Sequence, residues 1–578
     1  MGAGREARPT LEEKANELQA SLNLSQGPLV RVALFQSSTA NRLLMLIHHL
    51  AVDGVSWRIL LEDLQRAYQQ VANGESVQLA AKTTSFKQWA TLLNEAAIGA
   101  EKGASALWAE REYWAQLSTY APPLPVDDRL GANDNASATH ISTRLSAAQT
   151  EALLNEVPAV YHTQINDLLL TALALAFQAW TGQPALLLEL EGHGREELFE
   201  TDESRSVDLS RTVGWFTSVF PVRLDLTTLV PEVEGRQRLP EPVEGRQTVP
   251  ELVEGRHQGT ASDAEWTCLA ETIKRVKEQL RRIPNRGIGY GILRYLHPKG
   301  MITPLDIPEI NAEVSFNYLG QFDQMASGTL INGFASESSG VPHSPDGERR
   351  YLLSVNGMVI KGQLQVDWTY SCNFHRAATI QQLANHFIDA LQALIAHCQE
   401  ADAGGYTPSD FPEAQLNQEE LDDLLSELNT EQQNAQIEAI YPLSPMQQGM
   451  LFHSLYAPQS GVYFEQMAIT LVGQLDRHAF KQAWQQVVAR HAVLRTLFVG
   501  AERQQPLQVV CQEVELPWGE HDWRSLDDPD AQLASYLAAE RAQGFELERA
   551  PLMRCALIRV GDESYYFVKN HHHLLSDD

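Results

Sequence analysis

Apolar positions recur along the chain with two spacings, one typical of helices and one typical of strands. Leu11, Ala15, Leu18 and Leu22 share one helical face, which predicts an amphipathic helix over residues 11–22. Further helices are predicted over residues 55–71, 146–154, 166–180, 271–280, 379–398 and 421–428. Strands are predicted over residues 29–35, 43–47, 185–190, 316–321 and 364–370. Helices and strands that alternate in this way indicate an α/β or α+β layered fold.

One predicted helix has an identifiable start. Ser146 precedes it and can accept a hydrogen bond from the first free backbone amides, as an N-cap does. The helix is expected to run through Leu154 and to carry Thr150 and Glu151 on its exposed face.

Two breaks in the pattern suggest the domain organisation. Between about 229 and 259 the string Val-Glu-Gly-Arg occurs three times, beginning at Val233, Val243 and Val253. Because this repeat is polar, rich in proline and has no apolar face, we expect a disordered insertion in a surface loop. Residues 401–437 are polar and are expected to be a linker. The sequence thus predicts one domain over residues 1–400 and a second over residues 438–578.

Composition excludes several classes of function. The formal net charge of −30 argues against a nucleic-acid-binding surface, because phosphate contacts need clusters of Lys and Arg. The five cysteines are scattered, so neither a disulfide framework nor a zinc or other metal site is expected. No segment has the length and apolar character of a membrane span or signal peptide, which favours a cytoplasmic protein.

The residues from His48 to Trp57 form the most informative stretch. A predicted strand ends at paired imidazoles, and Asp53-Gly54 then opens a predicted helix. A His at the edge of a strand can face a cavity and act as a general base near neutral pH. Adjacent His residues beside an apolar segment are also common as structural or solvent-facing groups, so this pair alone leaves both interpretations open.

The complete string His48-His49-x-x-x-Asp53-Gly54-x-Ser56-Trp57 resembles the motif of the condensation superfamily of nonribosomal peptide synthetases, and its end resembles the epimerization branch. Further strings match that branch in family order: Asp167-Leu168-Leu169, Glu191 to Glu196, Arg211 to Thr217, Gly287 to Gly291 and Phe316 to Gln321. The resemblance implies a chloramphenicol-acetyltransferase-like α/β fold with two lobes forming a V and a tunnel between them. The glycines at 287–291 lack the rest of a phosphate-binding loop, so nucleotide binding is rejected.

The resemblance also implies a reaction, which is inversion of the α-carbon of an aminoacyl or peptidyl thioester. It assigns His49 and Glu191 as an acid/base pair that faces the carbon from two sides. Asp53 is expected to hold the motif loop through an ion pair, and His48 to have a structural role. Arg195 supports the site, although an ion pair between Arg195 and Glu191 would give Glu191 a structural role instead.

Two further residues resemble family positions near the tunnel. Asn317 or Tyr318 would bind the enolate oxygen or the pantetheine there. No cofactor is expected to bind directly, because the substrate would be carried on the 4'-phosphopantetheine of an upstream peptidyl carrier domain. An adenylation domain of the same synthetase would be a second partner.

The predicted second domain resembles the start of a condensation domain that accepts a D-configured donor. Its motif would comprise His572, His573 and Asp577, and it is expected to be inactive because the motif glycine and the following lobe are absent from the sequence. The first domain is expected to lack its N-terminal strand. Two other functions stay open: a peptide-bond-forming condensation or acyltransferase domain with His49 as base, and a non-catalytic remnant that docks a carrier domain.

Overall fold

The computed structural model describes most of the chain in separate ranges. These are residues 10–36, 40–100, 106–117, 122–196, 198, 207–227, 269–296, 307, 310–321, 330–331, 333–335, 337–432, 436–457, 461–500, 503 and 505–576. The expected insertion at 229–259 and the motif residue Asp577 lie outside the described residues. The chain divides into two compact units, Met1–Gly405 and Tyr406–Asp578.

The first unit is a mixed α/β structure. Its helices are α1 Leu11–Ala20, α2 Gly54–Ala72, α3 Phe86–Ala100, α4 Ala106–Gln116, α5 Ala147–Asn155, α6 Val157–Val160, α7 Ile165–Thr181, α8 Leu269–Arg281, α9 Ile288–Gly291 and α10 Ala377–Cys398. Its strands are β1 Val30–Phe35, β2 Arg42–Ile47, β3 Ala138–Arg144, β4 Ala185–Gly192, β5 Ser218–Asp225, β6 Val314–Gln321, β7 Leu353–Ile360 and β8 Gln363–Ser371. The helices predicted over residues 11–22, 55–71, 166–180, 271–280 and 379–398 are confirmed within a few residues.

Two sheets organise the first unit. Strands β1 and β2 form an antiparallel pair, and six further strands follow the order β3-β8-β7-β6-β4-β5. In the larger sheet, β6 is parallel to both β4 and β7, whereas the other neighbours are antiparallel. The ends of β4 and β6 that carry the predicted site residues therefore lie at the same edge of the sheet.

The core of the first unit surrounds helix α7. Its residues from Asp167 to Phe177 are all buried, and the helix packs against α10, α8 and β4. The apolar run that predicted this helix is therefore explained by burial on nearly every face. This rigid centre supports strand β4, which carries Glu191 close to its end.

One sequence expectation is wrong in the first unit. Ser146 caps helix α5 as predicted, and its hydroxyl accepts a hydrogen bond from the amide of Gln149. Thr150, however, is buried rather than exposed. Its hydroxyl donates to the Ser146 carbonyl and accepts from the amide of Leu364, each at 2.9 Å. A threonine can satisfy its hydroxyl within its own helix, so helical spacing alone does not show on which side it lies.

The second unit is also mixed. Its helices are α11 Gln418–Gln432, α12 Pro445–Tyr456, α13 Arg477–Arg490 and α14 Pro529–Gln543. Its strands are β9 Ile437–Pro442, β10 Phe464–Val472, β11 Thr496–Val499, β12 Leu507–Cys511, β13 Trp518–Asp522, β14 Met553–Arg559 and β15 Ser564–His572. They form sheets of order β10-β15-β14-β13 and β11-β12-β9. Within the segment predicted as a linker, Leu421, Leu424 and Leu428 of α11 are buried with residues of β9, β11 and β12.

Candidate active site

The paired histidines lie where strand β2 ends. His48 precedes a single 3-10 turn, and its ring Nδ1 accepts a hydrogen bond of 3.2 Å from the amide of Leu50. His48 is therefore directed at its own backbone, as its expected structural role requires. His49, the first residue of the turn, is exposed and lines a cavity of about 1360 Å³.

Asp53 fixes the loop between this turn and helix α2. One carboxylate oxygen accepts from the Ser56 amide at 2.7 Å, which caps the helix. The other accepts from the Phe216 amide at 3.1 Å. Arg195 forms a bidentate ion pair with the same carboxylate, at 2.7 and 3.2 Å. Asp53 thereby joins three segments that are far apart in the sequence.

The ion pair is buried, since the side chains of Arg195 and Asp53 are 8% and 3% exposed. Burial alone would raise the pKa of Asp53, but the hydrogen bonds from Arg195 and Ser56 together outweigh it, so the pKa lies below its ordinary value. The guanidinium of Arg195 also stacks over the ring of Phe216, at 4.0 Å from the centroid, and donates to the carbonyl of Thr212. Asp53 is thus held as a charged, fully bonded carboxylate.

Glu191 lies near the end of β4, beside the end of β6. The side-chain amide of Asn317 on β6 donates to one Glu191 oxygen at 2.7 Å. Because β4 and β6 run parallel, their last residues meet at one edge of the sheet. Arg195 is engaged with Asp53 and not with Glu191, so the structural alternative considered for Glu191 does not match the geometry.

The surroundings of Glu191 change its acidity. Its carboxylate can be reached from the cavity, yet neighbouring protein atoms crowd it, and this desolvation raises its pKa. Positive charge on His49 lowers the pKa in part. The two groups are therefore close enough to interact electrostatically, and a carboxyl group with a raised pKa is suited to exchanging protons near neutral pH.

The cavity brings most of the predicted site residues together. His49, Asp53, Glu191, Asn317 and Tyr318 all contribute to its lining. Burial raises the pKa of the Tyr318 phenol, which keeps it a neutral hydrogen-bond donor. The arrangement supplies an imidazole, a carboxyl group, an amide and a phenol to one space, which is the inventory that proton transfer at a carbon acid requires.

Residues that the sequence analysis did not single out complete the loop architecture. The Ser56 hydroxyl donates to the Gly214 carbonyl at 2.9 Å and accepts from the Gly214 amide at 3.1 Å. Gly194 has a positive φ of 65°, and a Cβ there would lie 1.7 Å from the carbonyl oxygen of Phe216. The signal was present in the motifs around Ser56 and Gly194, but spacing along the chain does not reveal which segments meet.

A second ion pair lines the same cavity. Arg281, at the end of α8, binds Asp167 of α7 through two hydrogen bonds of 3.0 and 2.7 Å. Asp167 also accepts from the amide of Gln164 at the start of its helix. This pair ties α8 to the beginning of α7, and it explains why a carboxylate occurs in the otherwise apolar run that follows.

His572 and His573 occupy the end of β15 and the following turn in the second unit. The ring Nδ1 of His572 accepts from the amide of Leu574 at 3.1 Å, the bond that His48 makes in the first unit. Burial, together with charge on His573 and His571, lowers the pKa of His572 to about 4. The ring of His573 stacks on Tyr463 with centroids 6.2 Å apart.

Two searches of the described residues bear on other classes of function. No group of three or more His, Cys, Asp or Glu side chains there is placed to hold a metal ion. Among the helices that the structure describes, none combines the length and apolar character needed to cross a membrane.

Comparison with known proteins agrees with this architecture. The model of the condensation domain family matches residues 3–417 and 437–578. Linear gramicidin synthase subunits C and B of Brevibacillus parabrevis are 45% and 43% identical to 98% and 100% of the chain, which spans 7% and 10% of their lengths. The crystal structure of the epimerization domain from the third module of tyrocidine synthetase B aligns with a TM-score of 0.54 and 36% identity, over 67% of this chain and 76% of that one. The predicted α/β fold of the condensation superfamily is confirmed.

Proposed function

Because the chain belongs to the condensation domain family, we propose that its first unit catalyses epimerization in nonribosomal peptide synthesis in the cytoplasm. The substrate is the α-carbon of an aminoacyl or peptidyl thioester. The observation that carries this proposal is the meeting of His49 and Glu191 at one cavity, where the carboxyl group has a raised pKa. The 36% identity to an epimerization domain of known structure supports the same reaction.

The chemistry explains why two titratable groups are needed. A thioester makes its α-proton more acidic than that of an amide, but removal near pH 7 still needs a base within hydrogen-bond reach. Inversion also needs a proton delivered to the opposite face. His49 and Glu191 exchange these protons, one removing while the other delivers, and the roles are reversed for the opposite enantiomer.

The enolate formed between the two transfers needs stabilisation of its oxygen. Asn317 and Tyr318 are hydrogen-bond donors on the same cavity, and both belong to strand β6. Preorganised donors of this kind stabilise developing negative charge without having to reorient during the reaction. Since Asn317 also holds Glu191, its amide links the enolate site to the proton donor.

The substrate reaches the cavity on a tether in this proposal. It is bound as a thioester to the 4'-phosphopantetheine of an upstream peptidyl carrier domain, which an adenylation domain of the same synthetase loads. The cavity of about 1360 Å³ has room for an aminoacyl group and part of such an arm. The second unit belongs to the same family and contains the start of a condensation domain that takes the D-configured product.

The deciding experiment presents the chain with a carrier domain loaded in turn with a panel of L-aminoacyl groups and a dipeptidyl group, in deuterated water. We expect inversion measured by chiral chromatography, with deuterium at the α-carbon measured by mass spectrometry. A loaded acceptor carrier in a parallel reaction detects peptide-bond formation. Peptide product without inversion would make condensation the correct function, and carrier binding with neither reaction would leave only a docking role.

A further inference from the structure

The strongest feature that the proposed reaction does not use is an indole beside the catalytic imidazole. The ring of Trp215 lies with its centroid 6.0 Å from that of His49, and the two planes meet at 63° in an edge-to-face contact. Edge-to-face pairs at this separation are attractive. Trp215 is 42% exposed. Exposure of one aromatic residue is ordinary in itself, so the argument depends on the contact and on what holds it.

The backbone on both sides of Trp215 is bound to the loop that carries His49. Gly214 exchanges two hydrogen bonds with the Ser56 hydroxyl, and the Phe216 amide donates to Asp53. These bonds are buried. The indole therefore has little freedom to move away from His49 while the loop stays folded.

The next side chain anchors the same segment. The ring of Phe216 packs edge-to-face on Phe86 at 5.0 Å and lies under the guanidinium of Arg195. A Cβ on Gly214 would come within 2.4 Å of the Phe86 ring, so this close packing needs glycine. The segment is thus fixed from both sides, and the exposed indole between its anchors is presented in one direction.

His49 itself has few restraints. It is exposed, and its turn fixes its backbone but leaves its imidazole free to adopt other rotamers. A base that rotates away from the cavity loses its reach to the α-proton. We infer that Trp215 is a positioning residue, whose indole keeps the His49 imidazole directed into the cavity. This inference rests on the proposed function, in which His49 transfers a proton to or from the substrate carbon.

The test compares Trp215→Leu, Trp215→Phe and the control Tyr295→Leu, which removes another exposed aromatic ring that does not line the cavity. The first measurement is the NMR signal of the His49 Cε1–H group in the chain labelled at histidine, assigned by its loss in His49→Gln. We expect Trp215→Leu to remove the ring-current shift of that signal, Trp215→Phe to retain part of it and the control to leave it unchanged.

The second measurement is α-proton exchange on the loaded carrier. Because a misplaced reacting group costs up to about a hundredfold in rate, we expect Trp215→Leu to lower kcat at least about tenfold with little change in KM. Trp215→Phe should restore most of kcat, and the melting temperature should stay near that of the unaltered chain in all three variants.

Each outcome decides a separate claim. An unchanged His49 signal in Trp215→Leu, or equal loss of kcat in Trp215→Phe and Trp215→Leu, would overturn the positioning role. A fall in melting temperature that accompanies the loss of kcat would also overturn it, in favour of a structural role. If the unaltered chain shows no exchange on any carrier, the proposed function fails, while the His49 signal still decides whether the indole holds the imidazole.

Discussion

Replacing Asp53 with asparagine changes one charge at the point where three segments of the site are joined. In the structure, one oxygen accepts from Ser56 and Arg195, and the other accepts from Arg195 and Phe216. An asparagine has only one acceptor oxygen. Its NH₂ group must face two N–H donors, so two of the four hydrogen bonds are lost and the buried guanidinium has no counter-charge.

The expected magnitude follows from burial. Removing one partner of a buried ion pair costs about 3–5 kcal/mol, because the remaining charge stays desolvated. Both side chains are at least nine-tenths buried here, so the full range applies. The matched control is Asp63→Asn, which breaks the pair between Asp63 and Arg211. Those side chains are 30% and 29% exposed, and the expected cost is about 0–1 kcal/mol.

Hydrogen exchange followed by mass spectrometry measures this cost where it arises. The amides of Ser56 and Phe216 donate to Asp53, so their protection reports the opening of the loop directly. Since about 1.4 kcal/mol corresponds to a factor of ten, we expect exchange in Asp53→Asn to be faster by roughly 10² to 10⁴. In Asp63→Asn the same peptides should change less than about tenfold.

A second substitution tests the reason for the effect. When Arg195→Met is combined with Asp53→Asn, the unpaired charge is removed, so we expect part of the lost protection to return. Equal protection in Asp53→Asn and Asp63→Asn would refute the reasoning. So would a double variant that is less stable than the sum of the two single changes.

Three further predictions follow from the same contacts. Because the pKa of Asp53 is lowered in the folded state, its stabilisation should be complete above its ordinary value of 3.8 and lost as the pH falls through the folded-state pKa; protection of Ser56 measured against pH should show this loss, and Asp53→Asn should not. Asn317→Leu removes a hydrogen bond to ionised Glu191, so the pKa of Glu191 should rise further and its limb of the pH–rate profile should move to higher pH; an unmoved limb would contradict this. Thr150→Val leaves the buried Leu364 amide unpaired and should lower the free energy of unfolding by about 1–3 kcal/mol, whereas the exposed neighbour Glu151→Ala should change it little in denaturant titrations.

The sequence predicted the long helices well because their apolar positions repeat with one period. Helix α8 is an example, since Ile273 and Val276 on its apolar face are both buried. Strand β7 was missed although its burial alternates strictly, because its polar positions include Ser354 and Asn356 and it contains Gly357. Short alternating segments of this kind have few of the residues that favour strands.

The site was predicted only in part, for a different reason. Motif strings identified His49, Asp53 and Glu191, but no local pattern shows that Arg195 pairs with Asp53, which lies 142 residues away in the sequence. The choice between Asp53 and Glu191 as the partner of Arg195 depends on how β4 ends and on the positive φ of Gly194. The contact between Trp215 and His49 depends on the same long-range hydrogen bonds. Pairings of this kind become visible only in the folded structure.

The claim that His49 and Glu191 form a facing acid/base pair is central to the account. It is tested by measuring α-deuterium incorporation and inversion together, on one loaded carrier, in His49→Ala and Glu191→Gln. The controls are His140→Ala and Glu151→Gln, which alter exposed residues that do not line the cavity. We predict that His49→Ala abolishes inversion, while Glu191→Gln either does likewise or incorporates deuterium with little inversion, since one remaining group returns the proton to the same face. Inversion by Glu191→Gln at the rate of the unaltered chain would contradict the two-base assignment and make Tyr318 or water the second proton donor.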